Sequence, residues 1–155
     1  MTFQIHALPV EPFVADFSLT DAALRERRIR RVVADNRPVY PCRVSLQDAD
    51  EGDRLLLLPY LHHEVDTPYR ASGPIYVREA ALRALPAVDE VPALLRSRLL
   101  SLRAYDARGM LVWADVVPGT ELESGIAQLF AIERSAYLHV HYAKPGCYAC
   151  RVERA

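Results

Sequence analysis

The residue pattern predicts an α+β fold: an antiparallel or mixed β-sheet of about six strands with two to four short helices, in a single domain spanning residues 1–155. Three observations predict it. Strand-like runs follow one another across turn residues, as hairpins do. Helical periodicity is confined to a few short inserted stretches, which places helices on one face of such a sheet. The 155 residues, 51% hydrophobic and 25% charged, suffice for one core, and no linker, low-complexity tract or charge block divides them.

Taken in order, residues 3–8 read as a first strand. Ser18 is placed to cap a helix over 18–28, with Asp21 three residues on. The run Arg25-Glu26-Arg27-Arg28-Ile29-Arg30-Arg31 reads as a solvated face leading into a strand over 29–35, rather than as an anion site. Further strands are expected over 42–46, 54–60 and 74–77. The acidic stretch Asp48-Ala49-Asp50-Glu51-Gly52-Asp53 falls out of register for a calcium loop. Its glycine comes one place early and Pro59 stands at the twelfth position, so it is a turn.

The second half is clearer. Pro92 suits the first turn of a helix over 92–98. Asp106-Ala107-Arg108-Gly109 joins strands over 100–105 and 110–117 as a hairpin. Thr120 and Glu123 form a capping box for a helix through Phe130, with Leu122, Ile126, Leu129 and Phe130 at helical spacing. Strands over 136–142 and 148–153 follow.

A net charge of −1 supplies no field to recruit nucleic acid or an anionic membrane. The longest purely aliphatic stretch, 55–58, is far too short to span a bilayer. Met1-Thr2-Phe3-Gln4-Ile5-His6 lacks a basic n-region and an apolar h-region, so a cytoplasmic location is expected. In that reducing setting the odd set Cys42, Cys147 and Cys150 is expected as thiols, thiolates or metal ligands.

The densest chemistry lies in Tyr137-Leu138-His139-Val140-His141-Tyr142-Ala143-Lys144-Pro145-Gly146-Cys147-Tyr148-Ala149-Cys150-Arg151. On a strand His139 and His141 share a face, roughly 6–7 Å apart at Cβ. Pro145-Gly146 suits a type II turn that swings Cys147 and Cys150 back past them. His139, His141, Cys147 and Cys150 therefore form a candidate zinc set. The competing readings are buried histidines hydrogen-bonded to neighbours with cysteines as packing residues, and metal-free catalysis. A thioredoxin-type pair is rejected, because only five residues follow Cys150 and the required helix has no room.

Other candidates form a ligand-binding group. Tyr40-Pro41-Cys42-Arg43-Val44 echoes Tyr148-Ala149-Cys150-Arg151-Val152 at four of five positions, which would set Cys42 beside the C-terminal cluster. His62 and His63 precede a loop whose Tyr69, Arg70 and Ser72 suit a carboxylate or phosphate, although Arg70 equally suits a surface ion pair. His63-Glu64 starts a H-E-x-x-H pattern that Thr67 breaks, and no P-loop, G-x-G-x-x-G or G-x-S-x-G is present.

Four ordered blocks carry a family resemblance: Tyr40-Pro41-Cys42-Arg43-Val44-Ser45-Leu46, Pro68-Tyr69-Arg70-Ala71-Ser72-Gly73-Pro74-Ile75, Arg98-Leu99-Leu100-Ser101-Leu102-Arg103-Ala104-Tyr105, and the tail from His139 to Arg151. Together they resemble the bacterial family called domain of unknown function 1203 over essentially the whole chain. The resemblance implies one domain and a bacterial cytosolic setting, and no activity or cofactor. Two functions stay open. One is a zinc protein, either a small metalloenzyme or a closed structural site. The other is a metal-free module that binds a small anion or a partner strand.

Overall fold

The computed structural model describes all residues from Met1 to Ala155. The chain packs as two compact units: Met1–His6 with Leu61–Gly73 and Leu85–Ala155, and Ala7–Tyr60 with Pro74–Ala84. The α+β class holds, with ten strands in two five-stranded sheets where the sequence predicted one sheet of about six. No helix is long and apolar enough to cross a membrane.

The second unit begins with a one-turn helix, α1 (Glu11–Val14), that runs into a 3₁₀ turn over Ala15–Ser18. Helix α2 (Asp21–Glu26) follows. Its cap is Thr20, whose Oγ1 accepts from Ala23 N at 3.2 Å, so the expected cap at Ser18 is corrected. Ser18 is already occupied as the last residue of the 3₁₀ turn. At the other end Arg28 takes a φ of 62°, which stops the helix short of the predicted extent. Thr20→Ala should cost about 1 kcal/mol by loss of this cap. Urea denaturation of the two proteins checks it, and coincident midpoints would show the cap to be inert.

The sheet of this unit runs β2 (Arg30–Val33), β5 (Arg54–His63), β6 (Ala71–Arg78), β3 (Pro41–Cys42), β4 (Gln47–Asp48) in spatial order. The strand predicted over 42–46 shrinks to Pro41–Cys42, because the backbone turns at 43–46 and Leu46 takes a φ of 50°. Ala34, Tyr40, Ala49 and Leu55 are buried together, with Val32 and Tyr76 packed on them. Strands β5 and β6 belong to this unit up to Tyr60 and from Pro74; the tip between them, Leu61–Gly73, belongs to the other.

The other unit holds the sheet β1 (Phe3–His6), β10 (Tyr148–Arg154), β9 (Tyr137–Tyr142), β7 (Leu99–Tyr105), β8 (Leu111–Pro118), antiparallel throughout. The predicted hairpin is β7–β8, and Gly109 takes a φ of 84° in its turn. Helix α3 (Ala93–Arg96) buries Leu94 and Leu95. Helix α4 (Leu122–Phe130) buries Leu122, Ile126, Leu129 and Phe130, the four residues at helical spacing. Thr120 does not cap it. Gly119–Glu121 forms a 3₁₀ turn leading directly into α4, and no side chain caps the first turn.

Cross-strand partners share a face, so Leu138, Val140 and Tyr142 of β9 lie with Ala104, Leu102 and Leu100 of β7. All six are buried. A Cβ on Gly125 would stand 2.7 Å from Leu102, so α4 lies against this side of the sheet. The opposite side carries Tyr137, His139 and His141.

Candidate functional site

Strand β9 is buried along its whole length, yet every second side chain is polar-tipped. Period-two alternation puts Tyr137, His139 and His141 on one face. The register with β7 adds Tyr105, Arg103 and Ser101, and the register with β10 adds Arg151 and Tyr148. His139 thus has Arg103 directly opposite on one neighbouring strand and Arg151 on the other. Next to Arg151, β1 places His6. One basic row, His6–Arg151–His139–Arg103, crosses four strands.

The tip of β5–β6 supplies His62, His63 and Tyr69. Ring centroids around His139 lie at 4.9 Å for His63, 5.1 Å for Tyr148, 5.2 Å for Tyr105 and 5.5 Å for Tyr137. His62 and His141 lie at 6.2 and 6.3 Å. His62 also stacks on Tyr148 and meets His141 at 5.1 Å.

Hydrogen bonds fix two tautomers. His63 Nδ1 is 2.7 Å from the Tyr69 carbonyl, which can only accept, so Nδ1 carries the proton. Nε2 of His63 then accepts from the Tyr137 hydroxyl at 2.7 Å. In His141, Nδ1 donates to the Gly146 carbonyl at 3.0 Å. His139 is 2% exposed and its Nδ1 has no hydrogen-bond partner. An unpartnered buried polar atom costs about 1–3 kcal/mol, so its persistence in a fold calls for a reason.

The local field is positive. Burial first, then the like-charge repulsion a protonated ring would meet from His63, His141, Arg151 and His62, holds the His139 pKa down to about 2, so this imidazole is neutral. Burial raises the Tyr105 and Tyr137 phenols, against the opposing effect of Arg103 and Arg151, and both remain O–H donors. Arg151 lies 3.9 Å over the Tyr137 ring and bonds Glu153 at 2.8 Å. Glu153 also meets His6 at 3.2 Å, so the one carboxylate on this row is engaged twice.

Of the predicted zinc ligands, the structure brings His139 and His141 together. Cys150 is opposite Val140 and faces the α4 side, away from both rings. The cause is a bulge: one step along β9, from His141 to Val140, matches two along β10, from Tyr148 to Cys150. Cys147 sits in the turn, where its carbonyl accepts from Tyr142 N. No three His, Cys, Asp or Glu side chains are arranged to hold a metal ion, and the strand register separates Cys150 from the two imidazoles. None of the three cysteines forms a disulfide.

The remaining predicted residues divide. His62 and His63 join the cluster. Tyr69 contributes its carbonyl to His63, and its ring lies 6.3 Å from Tyr105. Arg70 pairs with Glu64 at the surface. Cys42 is fully buried in the second unit, where its Sγ accepts from Ser45 N and Arg78 N. Its strand pairs with β4 and β6, whereas β10 pairs with β1 and β9, so the two echo segments are not sheet neighbours. Sequence reasoning missed Arg103, Tyr105, Tyr137, Tyr148 and Arg151. The signal was the alternation Ser101, Arg103, Tyr105 within an otherwise aliphatic strand.

The fold and this cluster define an α+β protein with a buried imidazole–phenol site on one sheet face. The chain belongs to the family described as protein of unknown function (DUF1203), whose model matches residues 39–154. No curated protein and no solved structure matches the chain.

Proposed function

We propose that this chain binds a small anion, a carboxylate or a phosphate, on the Arg103–His139–Arg151 row. The observation that carries the reading is the buried His139 with an unpartnered ring nitrogen, flanked on both neighbouring strands by arginine. Guanidinium groups recognise such oxyanions through paired, charge-assisted hydrogen bonds. The Tyr105 phenol, kept protonated, adds a neutral donor at the edge of the row. An anion there would give Arg103 a counter-charge and His139 a hydrogen-bond partner.

Calorimetric titration with inorganic phosphate and with acetate tests this. Wild-type protein should bind at least one of the two with a Kd below about 1 mM. Arg103→Met and Arg151→Met should each weaken binding at least about tenfold, the lower end for a charged hydrogen bond. Absence of binding, or binding unchanged in both variants, would overturn the reading. So would stoichiometric zinc in the purified protein, lost in His139→Ala, because zinc would then occupy these imidazoles.

A further inference from the structure

We propose that an anion enters this site together with a proton, and that the proton rests on His139. The inference rests on the anion-binding reading and specifies how that site is regulated. Every group facing His139 is positive or neutral: Arg103 and Tyr105 from β7, Arg151 and Tyr148 from β10, Tyr137 and His141 from β9, His62 and His63 from the end of β5. The nearest carboxylate on the row, Glu153, is held by Arg151 and His6. Nothing in the protein can therefore balance an imidazolium at this position, and only an incoming anion supplies that charge.

The hydrogen bonds favour His139 over His63. A second proton on His63 would fall on Nε2 and break the bond it accepts from Tyr137. His139 Nδ1 has no bond to lose. With an oxyanion beside it, the protonated ring gains a charge-assisted N–H···O⁻ bond and a counter-charge at once. The proton comes from solvent, no covalent bond changes, and anion plus proton enter as the elements of a weak acid. By linkage, an anion that favours the protonated ring must bind more tightly as pH falls.

Sulfate is the probe, because its own charge does not change near neutrality. Calorimetry in two buffers of different ionisation heat counts the protons taken up per sulfate bound. For the wild type a net proton uptake is expected that grows toward one per sulfate as pH falls from about 7.5 to 5.5, with affinity rising in step. In His139→Gln the count should fall to near zero and the pH dependence should flatten. Sulfate binding with no proton uptake in the wild type would overturn this inference and leave the anion reading standing. Uptake that persists in His139→Gln would overturn the assignment to His139. No sulfate, phosphate or acetate binding at any pH would overturn both.

Discussion

Between pH 6.5 and 4.5, in buffer free of sulfate and phosphate, the folded chain should lose about 2–3 kcal/mol of stability through His139 alone. In the unfolded chain this imidazole titrates near its ordinary value of 6.5, whereas in the fold it stays neutral down to about 2. Above pH 6.5 it is neutral in both states and contributes nothing to the pH dependence. Below it, the unfolded chain binds a proton that the native chain refuses, so stability falls toward about 1.4 kcal/mol per pH unit. Asp35, Asp106 and Glu123, whose carboxyls lie below their usual values, lose their contributions mainly at lower pH, which leaves most of this window to histidine. Urea midpoints at three pH values measure the slope. His139→Gln should reduce it by about one proton's worth, and identical slopes in the two proteins would show that the imidazole is not the source. Saturating sulfate should also shrink the loss, since it favours the protonated native ring.

Local patterns in the sequence were legible where a single element determines them. The β7–β8 hairpin, strand β9 and helix α4 follow from turn residues and periodicity, and all are present within a residue or two. The shared face of His139 and His141 follows from strand period alone. Pairing is another matter. That Arg103 flanks His139 depends on the register between strands far apart in sequence, and that Arg151 does depends on a bulge in the β9–β10 hairpin; no local pattern fixes either. The cysteines show the same limit more sharply. Strict alternation from Tyr148 would place Cys150 on the imidazole face, and the bulge between Tyr148 and Cys150 turns it to the other. A single inserted residue thus separates a zinc-like motif from a zinc-like site. Capping failed similarly: Thr120 and Glu123 have the right spacing, but a 3₁₀ turn already occupies the helix entry.

That entry is also where one methyl group should do the most damage. A Cβ on Gly119 would lie 1.9 Å from the Leu95 carbonyl oxygen and 2.8 Å from Arg96 C and Cα. These are backbone atoms of α3, so no side-chain rotation relieves the overlap. Gly119 N donates to the Arg98 carbonyl at 2.7 Å, which ties the same strand end to the start of β7. Any shift of Gly119 therefore moves both the start of β7 and the entry to α4, the helix that covers the apolar face beneath the His139 row. Gly119→Ala should destabilise the protein by more than about 3 kcal/mol, in the range reserved for backbone clashes in a packed core. Gly125→Ala is the control. Its Cβ would meet Leu102 Cδ1 at 2.7 Å, the far end of a flexible side chain, and alanine recovers about 1 kcal/mol of helix propensity. The net change there should stay within about 1 kcal/mol. Urea midpoints and far-ultraviolet circular dichroism separate the two cases. A Gly119→Ala protein as stable as the Gly125→Ala protein would mean that α3 and the α4 entry are not held at the separation described.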